Sequence, residues 1–243
     1  MPDKTVLITG AAGRIGAEIA RRLHADAMDI IIHYHRSRAG AESLVNELNT
    51  IRPRSATAVQ ADLLAAGATA RVIARAVEFN NRLDALINNA SSFYPTPVAT
   101  TTEQQWQDLV GTNMQAPFFL AQQAAPYLKA QSGCIINITD IHGQRPLRTY
   151  PVYSAAKAGL AMLTMALAKE LAPEIRVNGI APGAILWPET LAQEVKDKIL
   201  SRTALGFKGE PADIARAVRF LIRESGFMTG QTLTIDGGRS LFS

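Results

Sequence analysis

The sequence predicts an α/β fold in which one domain is built around a parallel β-sheet. Two observations predict it. Short apolar, β-branched runs alternate with segments of helical period along most of the chain, the pattern of repeated βαβ units. A glycine-rich turn joins the first strand to the first helix, and most of the other unusual residues also fall just after a strand-like run. That is where a doubly wound sheet binds its ligand.

Taken in order, Val6-Leu-Ile-Thr9 reads as a strand, followed by a helix over about 15–25. A strand at 30–34 precedes a helix at 41–49, and a strand at 56–60 precedes a helix at about 68–79. Leu83 to Ile87 reads as the fourth strand. A long loop, 88–101, contains Ser91-Ser-Phe-Tyr-Pro-Thr-Pro97, and two helices then occupy about 103–130. Cys134-Ile-Ile-Asn-Ile138 is the fifth strand. A helix over 151–171 stops before Pro173, and Arg176 to Ile180 is the sixth strand. Pro182-Gly183 opens an irregular stretch, roughly 183–209. A helix over 211–223 and a seventh strand, Thr232-Leu-Thr-Ile235, lead to Asp236-Gly-Gly238. There is no repeat and no linker, so the expectation is one domain over 1–243.

Composition narrows the function. The chain has 243 residues, 47% hydrophobic and 19% charged, too apolar and too weakly charged for disorder. No apolar run reaches the roughly 18 residues of a membrane helix. Met1-Pro-Asp-Lys-Thr-Val-Leu-Ile enters a strand-like run at once, leaving no room for a signal peptide. The single cysteine, Cys134, excludes an internal disulfide and suits a reducing compartment, the cytoplasm. Four scattered histidines make a zinc cluster unexpected, and no metal is predicted. A net charge of +4 without a dense basic run suits an anionic small molecule better than nucleic acid.

Three motifs carry chemistry. Thr9-Gly10-Ala-Ala-Gly13-Arg14-Ile15-Gly16 lets the backbone approach a pyrophosphate seated on a helix N-terminus. The second strand lacks the terminal acid that would hold a ribose 2′-hydroxyl. It ends instead in His33-Tyr-His35-Arg36-Ser37-Arg38, and an arginine with hydroxyls suits a 2′-phosphate, which points to NADPH over NADH. Tyr153 and Lys157 are four apart at the start of a helix, so they share one face. A neighbouring ammonium favours tyrosinate and lowers a pKa otherwise near ~10.

Together with Asn88-Asn-Ala90, Asn113, Pro182-Gly183 and Asp236-Gly-Gly238, these motifs resemble the short-chain dehydrogenase/reductase family in order and spacing over essentially the whole chain. The resemblance implies a single-domain, doubly wound Rossmann-type fold, with helices on both faces of a seven-stranded parallel sheet, usually as a homotetramer. It assigns Tyr153 as proton donor, Lys157 as its partner and holder of the nicotinamide ribose, and Asn113 as the asparagine of a water relay. Thr9, Gly10, Arg14, Ile15, Gly16, Asn89, Ala90, Ser91, Pro182 and Gly183 would contact the cofactor. Asp62 and Leu63 would lie around its adenine, and Arg36 and Ser37, with His35 beside them, at its 2′-phosphate.

Two departures from the common family pattern carry more information than the matches. The usual catalytic serine, 13 residues before the tyrosine, is Asp140, and the middle glycine of the first motif is Arg14. Both are shared with the pteridine reductase branch, which the stretches at 33–37, 60–63 and 88–97 also resemble. A carboxylate at 140 would repel the alkoxide developing in ketone reduction. It suits a C=N substrate, which needs a proton on nitrogen, and it opposes tyrosinate. Asp140 could also be a structural loop residue or helix cap. Phe93 would stack on a planar pterin, and Arg14, Ser91, Asp140, Tyr150 and Tyr153 would also face the substrate. Trp187 either walls the pocket or packs within the loop at 183–209, and Cys134 is inert core. By resemblance, hydride goes to C7 of an oxidised pterin, with Tyr153 protonating the adjacent nitrogen, or to C6 of a 7,8-dihydropterin, with a water near Arg14 as donor. Pterin or folate is the expected substrate. The rivals are a carbonyl reductase for 3-oxoacyl thioesters or sugars, and a non-catalytic NADPH sensor. Some relatives complete the site with a neighbouring subunit's C-terminal arginine, a position that Arg239 does not clearly match.

Overall fold

Val6, Leu7 and Ile8 are fully buried in β1 (Thr5–Ile8), with β2 (Asp29–Tyr34) on one side and β4 (Ala85–Asn88) on the other. Continuous apolar runs of this kind belong to strands covered on both faces. With β3 (Ala56–Gln60), β5 (Cys134–Ile138), β6 (Arg176–Pro182) and β7 (Thr232–Ile235), they form one parallel sheet in the order β3-β2-β1-β4-β5-β6-β7. The order reverses between β1 and β4, opening a crevice at the carboxyl ends of those strands. The computed structural model describes residues 4–187 and 191–242. The expected N-terminal run from Met1 to Asp3 and Pro188, in the loop at 183–209, lie outside them.

Helices cover both faces of the sheet. Val6, Ile8, Ile30 and Ile32 point to one side, where they cluster with Ile19 and Leu23 of α1 (Arg14–Ala25) and with residues of a helix at 211–223. Leu7, Ile31 and Leu86 point to the other. They meet Val72 and Ile73 of α3 (Ala68–Asn80) and residues of a helix at 116–129. α2 (Arg38–Ile51) packs Leu44 and Leu48 into the first cluster. Each fully buried Leu or Ile contributes about 1.5–3 kcal/mol, so these two layers stabilise the sheet whose strand ends form the crevice.

The stretch 103–129 departs from two separate helices. α4 (Glu103–Val110) runs through a single π-helical turn, Gly111–Gln115, directly into α5 (Ala116–Lys129). Thr102 and Gln105 form a capping box that starts α4. α6 (Pro151–Leu171) opens on a proline at its first position, where the missing N–H is not needed. The expected irregular stretch at 183–209 contains a helix, α7 (Gln193–Leu200). None of its residues is buried, so it carries no core-facing stripe by which a sequence would announce it. α8 (Pro211–Arg223) precedes β7.

Candidate active site

A cleft of about 1390 Å³ lies along the carboxyl ends of the strands. It exceeds the roughly 300–1,000 Å³ of a typical small-ligand pocket. At its centre, Tyr153 and Lys157 sit one turn apart on α6 and are both buried. The Tyr153 hydroxyl donates to Oδ2 of Asp140 at 2.7 Å. Oδ1 of the same carboxylate accepts the backbone N–H of His142 at 2.8 Å, capping a short 3₁₀ turn at 141–143. Asp140 is therefore both a cap and a partner of the tyrosine, and the cap fixes which oxygen faces the phenol. Lys157, only 3% exposed, donates from Nζ to the carbonyl of Ile138 at 2.8 Å and lies 5.7 Å from the centre of the Tyr153 ring.

The electrostatics correct one expectation. Far from being lowered by the ammonium, the Tyr153 pKa is pushed well above its ordinary value, first by burial and then by the Asp140 carboxylate. Burial also depresses Lys157, to about 8, against the opposing pull of Asp140. Spacing reveals the ammonium but not the desolvation, and here desolvation wins. The phenol is held protonated, as the argument from Asp140 required.

The loop at 88–101 closes one wall. Phe93, 51% exposed, is stacked on Tyr150 with ring centres 4.6 Å apart, and meets the Tyr153 ring edge-on at 4.8 Å. The same loop is tied down by Thr96 N–H to the Thr149 carbonyl and by Tyr94 Oη to Asp108 Oδ2. Asn113, fully buried in the π turn, donates to the carbonyls of Ser92 and Leu109 and accepts from the Ser91 hydroxyl at 2.7 Å. Its amide thus anchors the loop.

The other half of the cleft suits a dinucleotide. Gly10 takes φ +62°, and a Cβ there would lie 2.9 Å from Cα of Ala90. Gly13 lines the cleft, yet a Cβ there would meet no protein atom within 4 Å, so the open space beside it is available to a ligand. Gly13 and Ser37 are the N-caps of α1 and α2. Neither helix has a side-chain cap or an acid in its first turn. Two helix N-termini without side-chain caps therefore meet one cleft, each a ready anion site, although at α2 the Arg38 N–H already donates to the Arg36 carbonyl at 2.9 Å. Arg14 holds φ +57°, the left-handed conformation of the glycine it replaces. Asn89 Nδ2 donates to the carbonyls of Thr9 and Gly10, and Thr9 Oγ1 accepts from the N–H groups of Asn89 and Ala90.

Every predicted site residue except Thr9 and Asn113 lines this cleft: Gly10, Arg14, Ile15, Gly16, His35, Arg36, Ser37, Asp62, Leu63, Asn89, Ala90, Ser91, Phe93, Asp140, Tyr150, Tyr153, Lys157, Pro182, Gly183 and Trp187. Trp187 walls the pocket, flanked by Lys196 and Lys208 over its ring. Thr9 and Asn113 act one layer back, through the contacts above. Ser92, Tyr94 and His142, not expected from the sequence, also line the cleft, as does Arg239, which the sequence offered only as a poor match to a neighbouring subunit's arginine. No local motif marks them.

The short-chain dehydrogenase family profile matches residues 4–199. This chain is a short-chain dehydrogenase/reductase. It is similar to pteridine reductase 1 of Leishmania tarentolae, 36% identical over 97% of this chain and 96% of the relative. A 3-oxoacyl-[acyl-carrier-protein] reductase of Staphylococcus aureus is 34% identical over 97% of each, and an uncharacterised oxidoreductase of Methylorubrum extorquens 33% over 98% of each. Two activities are thus represented at nearly equal identity, and overall similarity does not choose between them for this short-chain dehydrogenase/reductase. No helix among the described residues is long and apolar enough to cross a membrane.

Proposed function

We propose that this short-chain reductase uses NADPH to reduce oxidised or 7,8-dihydropterins, with folates as extended members of that class. The observation that carries the reading is the Asp140–Tyr153 pair. A carbonyl reductase benefits from a neutral hydroxyl donor beside its tyrosine, whereas here a carboxylate is hydrogen-bonded to the phenol. Negative charge there opposes an alkoxide but not a nitrogen that gains a proton.

When bound along the glycine turn, NADPH would supply the hydride. Gly13 would leave room for its pyrophosphate, Gly10 and Gly16 let the turn pack closely against Ala90 and Asn89, and Arg14, Ile15 and the α1 N–H groups would be the donors. Arg36, Ser37 and the uncapped N-terminus of α2 would hold the 2′-phosphate beside His35, with Asp62 and Leu63 at the adenine. Asn89, Ala90, Ser91, Pro182 and Gly183 line the nicotinamide side. For an oxidised pterin, Tyr153 donates its proton to the nitrogen beside the reduced carbon, and Lys157 attracts the negative charge left on the phenol. Asp140 keeps the phenol loaded until that step. For a 7,8-dihydropterin, a water near Arg14 is the donor. Phe93 and Tyr150 form the aromatic wall for the pterin, and Trp187 lines the same cleft. Asn113 maintains the loop and the water relay. The same reading takes the protein as a cytoplasmic homotetramer, and exposed Phe119 and Tyr127 on α5 and Met162 and Met165 on α6 are apolar surface that supports assembly.

The test is NADPH oxidation by purified protein with biopterin, 7,8-dihydrobiopterin, dihydrofolate and an acetoacetyl thioester. Turnover of pterins with a silent thioester is the expected result. Thioester turnover with silent pterins would overturn the reading and favour the 3-oxoacyl reductase comparison.

A further inference from the structure

Arg239 is a cleft-lining cation that the chemistry above does not use. It sits in the 3₁₀ turn after β7, and its Nη1 reaches back to the carbonyls of Ile199 and Arg202 at 3.5 and 3.3 Å. Those bonds are long for N–H···O contacts. They engage one nitrogen of a guanidinium with five N–H donors. Among the described residues, no carboxylate pairs with it. Burial lowers its pKa, and Arg202 adds repulsion. If Arg239 were merely a strut for the end of α7, tighter bonds and an acidic neighbour would serve better. The cleft that Arg239 lines also carries an apolar set, Leu186, Trp187, Leu191, Val195 and Ile199, of which Ile199 offers its carbonyl to Arg239.

From this arrangement, and resting on the pterin reading, we propose that Arg239 forms an anion subsite in its own subunit's cleft, selecting pterins that carry an apolar or aromatic spacer ending in a carboxylate. The apolar set takes the spacer and the guanidinium takes the carboxylate, a pairing that Arg makes with two parallel N–H bonds. A short polyol tail has nothing to offer that set. A tail ending in phosphate after a polyol offers only the charge.

The experiment measures kcat/KM with NADPH for 7,8-dihydrobiopterin, dihydroneopterin monophosphate and dihydrofolate, in the wild-type chain, Arg239→Gln and Arg239→Lys, with thermal unfolding of each. Dihydrofolate tests spacer plus carboxylate, and the monophosphate tests charge alone. The expected result is that Arg239→Gln lowers the dihydrofolate-to-dihydrobiopterin ratio by about tenfold or more through KM, the worth of one charge-assisted hydrogen bond, while Arg239→Lys falls between. An unchanged ratio overturns the subsite, whether both substrates fall together, as for a brace of α7, or neither falls. A ratio that falls only for the monophosphate overturns the carboxylate assignment. Failure of the wild type on every pterin would instead sink the pterin reading itself, and the subsite with it.

Discussion

Asp140 shows how one residue can serve fold and chemistry without conflict, because its two oxygens have different partners. The His142 N–H holds Oδ1 and leaves Oδ2 aimed at Tyr153. Asp140 raises Tyr153 and also supports the proton on Lys157, whose pKa lies at about 8. In the wild type, kcat/KM for a pterin should therefore decline above about pH 8 as Lys157 loses its proton. In Asp140→Asn both groups lose that support, so the alkaline limb moves to lower pH. The maximal rate should also drop by about 10²-fold, the lower range for a positioned acid–base group. A limb that stays in place would show that the carboxylate does not set these pKa values. Arg14 makes the opposite compromise. Its left-handed backbone costs about 1–2 kcal/mol for a residue with a Cβ, partly offset by the chain entropy that a glycine would lose. Arg14→Gly should raise Tm by a few degrees at most while lowering kcat/KM, and Arg14→Ala should lose activity with no gain in Tm. A lower Tm in Arg14→Gly would mean that the arginine contributes more contacts than strain.

Among the elements, the ends of β1, β2 and β3 are joined beneath the cofactor half of the cleft by His33. Its Nδ1 accepts the Gly10 N–H at 3.3 Å, so Nε2 carries the proton and donates to the Ala61 carbonyl at 3.1 Å. Burial lowers its pKa to about 4. Above pH 6.5 neither the folded nor the unfolded chain protonates it. Between about 6.5 and 4 the unfolded chain binds the proton first, so stability falls as pH falls. That loss amounts to about 2 kcal/mol by pH 5. The stability advantage of wild type over His33→Gln, measured by urea unfolding, should narrow by that amount between pH 7.5 and 5; a constant gap would refute the buried neutral imidazole. The strands and most helices were legible because their apolar periods differ and both faces of the sheet are covered. α7 was not, since none of its residues is fully buried. The π turn was hidden because helical period continues on both sides of Gly111–Gln115. In the site, residues that follow strand ends were legible, because the topology delivers them to one crevice. Phe93 against Tyr150 and Arg239 against α7 were not, because loops separated by tens of residues meet there without any local pattern.

At the scale of the molecule, the sheet brings two uncapped helix N-termini, those of α1 and α2, to the same cleft. A dinucleotide with an added phosphate can engage both ends, whereas one without it engages mainly the first. Arg36, exposed beside Ser37, adds a cation at the second. Ligand binding to the folded state stabilises it by mass action, about 2.7 kcal/mol at a hundredfold excess over Kd. For a chain of this size, that corresponds to a Tm rise of roughly 5–10 °C. NADPH should reach that range at a concentration where NADH, bound tenfold more weakly, gives about half the shift. Arg36→Ala should bring the NADPH shift down toward that of NADH while leaving the NADH shift in place. Equal shifts for the two cofactors in the wild type would mean that the α2 end of the cleft holds no phosphate, and the charge at 36–38 would then be ordinary solvated surface.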